Sequence, residues 1–230
     1  PGGEFLRQFG RKGSGEGELN EPCGLGVDGE GEIFVADTWN HRIVRFAPDG
    51  QFRLAFGDPE GKLFGPRAVL LSRGSVYVAD TGNKRIVRFS PDGKRLAAWG
   101  GDGTAPGQFI EPVGLAAGPS GNIYVADTGN HRVQVFDPEG KFLRQFPVFG
   151  WKDFYTEPYI AVGPSETVFL TDSWGKRAAQ YDAGGTLRRS WRGSEFFKSP
   201  TGIVLDPFGN LTVSDRATAG GYTSGYPDAA

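Results

Sequence analysis

Two stretches of the sequence place a histidine beside an arginine, four residues after an aspartate: Asp37 with His41 and Arg42, and Asp127 with His131 and Arg132. Imidazole, guanidinium and carboxylate within six residues could serve acid–base chemistry or hold a metal. The same slots hold Lys84 with Arg85 and Lys176 with Arg177 elsewhere in the chain. A catalytic or metal-bound histidine needs partners that converge on it, whereas a slot that recurs along the chain serves each unit separately. The aspartates recur too, as Asp37, Asp80, Asp127, Asp172 and Asp215. Each is expected to accept backbone hydrogen bonds at a turn, with Arg42, Arg85, Arg132 and Arg177 placed to pair with them or with carboxylates of the next unit. One carboxylate per unit is too dispersed for a calcium site that needs six to eight close oxygens. The pattern therefore predicts scaffold, with no catalytic residue, no metal site and no cofactor.

What positions these residues is a repeat. "IYVADTGNHRVQVFDPEGKFLRQF" (123–146) aligns without gaps to "IFVADTWNHRIVRFAPDGQFRLAF" (33–56), "VYVADTGNKRIVRFSPDGKRLAAW" (76–99) and "VFLTDSWGKRAAQYDAGGTLRRSW" (168–191). Ahead of each lies a short apolar run, as in "PCGLGVD" (22–28) and "PVGLAAG" (112–118), and a fifth run, "PTGIVLD", starts at 200. Successive aspartates are 43, 47, 45 and 43 residues apart. Four alternating apolar runs per unit, joined by Gly, Asn-Gly and Pro-Asp-Gly turns, predict four antiparallel strands, here called a to d. Repeated radially, such a meander is a β-propeller blade.

The fold class expected is therefore all-β, a β-propeller of four-stranded antiparallel blades forming one domain over 1–230. The blade units run over about 22–57, 66–100, 112–146, 157–191 and 200–215, the last completed by 4–9. "PGGEFLRQFG" (1–10) aligns with "PEGKFLRQF" (138–146), so the chain opens on a d strand that is expected to close the last blade. Five blades are read, and six remain open because the fifth unit lacks a recognisable strand c.

With a Pro-x-Gly entry, a "YVADTGNHRVQVF" middle and a "G-x-F-L-x-x-F" end in several copies, the chain resembles the NHL-repeat β-propeller family over nearly its whole length. The resemblance is specific for fold and not for function, because such scaffolds host binding modules and enzymes alike. It implies three functional classes: recognition of a protein, peptide or glycan; metal-dependent hydrolase or lyase activity, which needs clustered His, Asp, Asn or Glu ligands; and single-stranded RNA binding on a basic face. It also implies an extracytoplasmic setting, as part of a larger membrane-associated protein.

Composition narrows these classes. Twenty-five basic and 27 acidic residues give a formal charge of -2, so no whole-molecule field favours nucleic acid. A single cysteine, Cys23, excludes an internal disulfide framework and a multi-thiolate metal site within one chain. The apolar runs are far too short to insert in a membrane.

Selectivity is then expected where the repeat is broken. The a–b and c–d turns are short and uniform, while the d–a and b–c connections, which share the other face, vary. Trp39 and Trp174 replace the glycine of the b–c turn, Tyr159 replaces the Gly or Ala that opens strand a, and "FGWKDFYTEPY" (149–159) is the longest aromatic departure. Trp39, Trp151, Lys152, Phe154, Tyr155, Tyr159 and Trp174 are the candidate contacts for a partner. Aromatic rings among a few polar groups suit recognition; equally, these rings would plug the channel and pack the long connection.

Overall fold

A computed structural model describes residues 4–5, 7–57, 62–151, 158–193, 195, 197–206 and 208–215. A short parallel pair, β1 (Arg11–Lys12) and β2 (Glu18–Leu19), precedes the blades. Blade 1 is the antiparallel sheet β3 (Gly24–Val27), β4 (Ile33–Asp37), β5 (Arg42–Phe46) and β6 (Phe52–Phe56). Blade 2 is β7 (Pro66–Ser72), β8 (Ser75–Asp80), β9 (Arg85–Phe89) and β10 (Arg95–Gly100). Blade 3 is β11 (Pro112–Ala117), β12 (Ile123–Asp127), β13 (Arg132–Phe136) and β14 (Phe142–Pro147). Blade 4 is β15 (Ile160–Val162), β16 (Val168–Asp172), β17 (Arg177–Tyr181) and β18 (Leu187–Arg192). Blade 5 has two strands among the described residues, β19 (Pro200–Leu205) and β20 (Leu211–Asp215).

The inner strands β3, β7, β11, β15 and β19 pack one against the next, and the cores lie between blades. Phe34, Ala36 and Ile43 of blade 1 bury against Val69, Val76, Val78, Val87 and Phe89 of blade 2. The next two seams follow the same rule, with apolar side chains from the d–a connection in each: Leu63 in the first, Phe109 in the second, Val148 and Trp151 in the third. Strands b and c of the inner blades read as near-continuous apolar runs because successive side chains point to opposite faces and both faces are packed. At the outer edge, a d-strand aromatic covers the c-strand aromatic of the following blade: Phe56 on Phe89 at 5.3 Å, Trp99 on Phe136 at 6.0 Å, Phe146 on Tyr181 at 5.7 Å. Each also lies on the turn glycine of that blade, where a Cβ would come within 2.7 Å of Phe56, 2.5 Å of Trp99 and 2.2 Å of Phe146.

The N-terminal segment obeys this geometry without being a strand. Phe9 stacks on Phe46 at 5.2 Å and sits 2.9 Å from where a Cβ on Gly50 would be, the relation of a d strand to the blade after it. It therefore occupies the outer slot of a blade preceding blade 1. Among the described residues, however, β20 pairs with β19 alone, and residues 4–9 form no ladder with it. The completion of blade 5 by 4–9 stays an expectation from the alignment, which identifies a strand type and not its partner.

On the face of uniform turns, blade 4 carries two side-chain residues in the left-handed region, Ser165 and Glu166. Glu166 holds φ +57 where blade 3 has Gly121 at φ +89, a left-handed conformation that costs a side-chain residue energy. Its carboxylate accepts the Ser120 N–H at 2.9 Å and the Tyr124 hydroxyl at 2.5 Å, and Arg144 donates to the same phenol at 3.0 Å. Burial raises the Glu166 carboxyl, but the bonds from Ser120 and Tyr124 and the charge of Arg144 outweigh it and hold it below the ordinary 4.5. Burial and the adjacent carboxylate push the Tyr124 phenol up. Because the folded value lies below the unfolded one, the stability from ionised Glu166 is complete above about pH 4.5 and is lost as pH falls through the folded value. Melting temperatures of the protein and of Glu166→Gln, measured from pH 7 to pH 3, should therefore differ most at pH 7 and converge below about pH 4.5. A constant difference would show that this carboxylate contributes nothing through its charge.

Candidate functional site

The histidine–arginine–aspartate sets resolve as stitching. Asp127 is fully buried and accepts from the Ile110 N–H at 3.1 Å, Asn130 Nδ2 at 2.8 Å, Arg132 Nε at 2.9 Å and Gln134 Nε2 at 3.1 Å. Asp37 and Asp80 repeat this with Asn20 N–H, Asn40 and Arg42, and with Phe64 N–H, Asn83 and Arg85. Each aspartate thus ties the incoming d–a connection to the b–c turn and to the arginine opposite it in the b–c ladder. The arginine then donates to connection carbonyls, Arg132 to those of Thr104, Ala105 and Gln108. The histidines close the turn in a left-handed conformation, His41 at φ 56 and His131 at φ 51, as do Lys84 and Lys176. His41 Nδ1 accepts the Gly65 N–H at 3.0 Å. Among the described residues no three His, Cys, Asp or Glu side chains group as metal ligands.

The sequence-derived aromatic candidates separate into three settings. Trp39 and Trp174 lie on the surface, with 42% and 70% exposure. Their neighbours explain why. In blades 2 and 3 the turn residue is Gly82 or Gly129, and a Cβ there would meet the Phe64 ring at 2.1 Å or Ile110 Cγ2 at 2.5 Å. Glycine is thus needed where the incoming connection lays an apolar side chain over the turn. In blade 1 that incoming residue is Asn20, which leaves room for Trp39, whose Nε1 donates to Glu21 at 2.9 Å. In blade 4, Gly175 replaces the turn asparagine and bonds Asp172 through its own N–H at 2.8 Å.

Trp151 is 3% exposed and packs with Val148, Phe146 and Tyr181 in the seam between blades 3 and 4, so it fills core and presents nothing to a partner. Tyr159 is half-buried at the channel. Its phenol donates to the Cys23 carbonyl of blade 1 at 2.8 Å, 136 positions away. Its main chain is fixed at both ends, its N–H donating to Thr171 Oγ1 at 2.9 Å and its C=O accepting from the Thr171 N–H at 3.1 Å. Thr171 stands where blades 1 to 3 have alanine, so two departures in blade 4 support one another. Lys152, Phe154 and Tyr155 lie outside the described residues.

Sequence reading missed two rings on this face, Phe64 and Phe149, both exposed. Phe64 stacks on the His41 ring at 5.1 Å, and the Phe149 carbonyl accepts from Arg177. The usable signal for Phe64 was its place two residues before the proline of strand a, directly over the Gly82 turn. The face therefore displays aromatic rings from blades 1, 2 and 4 around a mouth bridged by Tyr159.

The family model for the NHL repeat matches residues 19–46 and 109–136. The chain carries the NHL repeat at these two positions. Relatives include "Protein brain tumor" of Drosophila melanogaster, 39% identical over 69 residues, which are 29% of this chain and 7% of that protein. The E3 ubiquitin-protein ligase TRIM71 of Rattus norvegicus is 54% identical over 44 residues, 19% of this chain and 5% of its own. The NHL match thus spans less than a tenth of those proteins' length. Among solved structures, a streptogramin B lyase aligns over 86% of this chain and 70% of its own at TM-score 0.65 and 15% identity. A gluconolactonase from Xanthomonas campestris aligns over 84% and 69% at TM-score 0.64 and 20% identity. These similarities establish the β-propeller fold for the NHL repeats of this chain.

Proposed function

We propose that this chain is a non-enzymatic recognition module whose connection-rich face binds a protein, peptide or glycan partner through Trp39 and Trp174. One observation carries the reading: at two turns the template glycine is replaced by tryptophan, and both indoles stand out in solvent. An exposed indole is not needed to fold its blade, and rigidly mounted Trp is the side chain most enriched where partners bind. The rest of this face supplies further rings in Phe64 and Phe149, while the opposite face carries short uniform turns.

Single-stranded RNA ranks lower on a specific ground. Arg11, at the edge of the same face, is paired with Glu18 at 2.8 Å, and Lys84 with Asp102 at 2.8 Å, so these two cations are locally neutralised. A hydrolase or lyase reading draws only on fold likeness, which does not carry activity.

The test uses a displayed peptide library and a glycan array as probes. Ligands retained by the wild type should bind Trp39→Ala/Trp174→Ala more than tenfold more weakly, with an unchanged melting temperature because neither indole is buried. Equal retention by a folded double variant would remove this face from the reading.

A further inference from the structure

We propose that a hollow in the seam between blades 1 and 2, on the face of uniform turns, binds a primary ammonium carried on a short apolar stem. The hollow has a volume of about 250 Å³. A cavity of about 150 Å³ is enough to hold benzene, so a short alkyl group fits. Its walls are the a–b turns of the two blades, from Asp28 and Gly29 on one side and from Leu71 to Ser75 on the other, together with Phe34 of β4 and Pro91 of the β9–β10 turn. It stands on the face opposite Trp39 and Trp174 and does not depend on their role.

In each later seam a side chain of the protein fills the corresponding space. In the second, Tyr77 stands where blade 1 has Phe34, and its hydroxyl donates to the Pro138 carbonyl at 3.1 Å. The Arg73 guanidinium also crosses between the turns there, donating to the Ser120 carbonyl at 2.6 Å and lying 2.2 Å from where a Cβ on Gly121 would be. In the third, the Tyr124 hydroxyl meets Glu166, whose carboxylate lies 2.0 Å from where a Cβ on Gly118 would be. In the fourth, Leu205 lies 2.6 Å from where a Cβ on Gly163 would be. The first seam has no such filler: Phe34 carries no hydroxyl, and a Cβ on Gly29 or Gly74 would meet nothing within 4 Å.

The groups left over in this seam are hydrogen-bond acceptors. Among the described residues the Pro91 carbonyl accepts from Arg45 alone, at a long 3.3 Å, where its counterpart Pro138 accepts from Tyr77 at 3.1 Å and from Arg88 at 3.2 Å. Asp28 uses Oδ1 for the Glu30 and Glu32 N–H groups at 2.9 Å each, and its Oδ2 has no hydrogen bond among the described residues. The two cations bordering the hollow are already engaged, Arg45 with Glu32 at 2.9 Å and Arg73 in the second seam. A carboxylate and a carbonyl beside Phe34 and Leu71 suit a charged donor on an apolar stem. Arg73 is a cation of that build, and it fills the same space one seam later. The ligand is thus an alkylammonium, either a free amine or the lysine side chain of a peptide.

Nuclear magnetic resonance titration of the full chain with n-butylammonium, with a lysine tripeptide blocked at both ends and with 1-butanol tests this. At least one of the two amines should shift the backbone amides of Arg73, Gly74 and Ser75. Butanol has the stem without the charge and should bind about tenfold or more weakly. Tighter binding of the tripeptide assigns the site to peptide lysines, and tighter binding of butylammonium assigns it to a free amine. Phe34→Tyr places a hydroxyl where Tyr77 has one; amine binding should fall about tenfold or more while the melting temperature stays equal or rises. Asp28→Asn keeps an oxygen for the Glu30 and Glu32 N–H groups but removes the charge, so the amine should bind it no better than butanol binds the wild type. Unshifted amides at the blade 2 turn with both amines, butanol binding as tightly as the amines, or undiminished amine binding by either variant would each overturn the proposal.

Discussion

Replacing Asp127 with alanine is expected to destabilise the protein by ~3–5 kcal/mol, the usual cost of removing one partner of a buried ion pair. Its carboxylate is wholly buried, and Arg132, 7% exposed, is left with a charge that no other acid meets among the described residues. Five donors converge on Asp127, from a connection, a turn and strand c, so the loss unties blade 3 from its incoming connection as well. Asp215 provides the internal comparison. It takes the same repeat slot in blade 5 but is exposed, and among the described residues it accepts the Lys198 and Ser199 N–H groups at 3.0 and 2.6 Å. Its alanine variant should lose about 1 kcal/mol. Urea unfolding of the three proteins measures both, and equal small losses would show that the aspartate slot is not what holds the turns.

Gly114→Val is the second large effect, with an expected loss of about 1–3 kcal/mol or more from overpacking. A Cβ at this position would lie 2.7 Å from the Pro158 carbonyl oxygen and 3.1 Å from Ile160 Cγ2, both on blade 4. The first of these is backbone, so relief requires the inner strands to separate. The same slot already holds Ala68 in blade 2 and Tyr159 in blade 4, which shows that the restriction belongs to the seam and not to the strand type. Thermal unfolding should register the loss, and a variant as stable as the wild type would mean that neighbouring blades move apart freely.

The blade reading was legible because every signal in it is local. Alternation in "IYVAD", the turn in "DTGN" and the aspartate two residues before the turn glycine all lie within one unit and recur four or five times. Repetition also placed His41 and His131 in one slot, and in both blades that residue closes the turn at positive φ. The aromatic departures were legible as departures and not as positions. Trp151 and Trp174 are 23 residues apart in similar company, yet one fills a seam and the other stands in solvent, because burial depends on what the neighbouring blade leaves empty. Phe64 went unnoticed for the complementary reason: its prominence follows from lying over Gly82, a contact between a connection and a turn 18 residues later.

By itself, the order of residues determined the blade: four strands, their register, the Asp–Arg stitch and the two distinct ends, all set by short-range alternation and turn chemistry. Only the tertiary structure decided the relations between blades. It sent the Tyr159 phenol across the axis to Cys23, buried Trp151, and left Trp39 and Trp174 outside. The physical reason is that each of these outcomes turns on space left by a neighbouring blade, and a repeating pattern specifies neighbours only up to the curvature of the array.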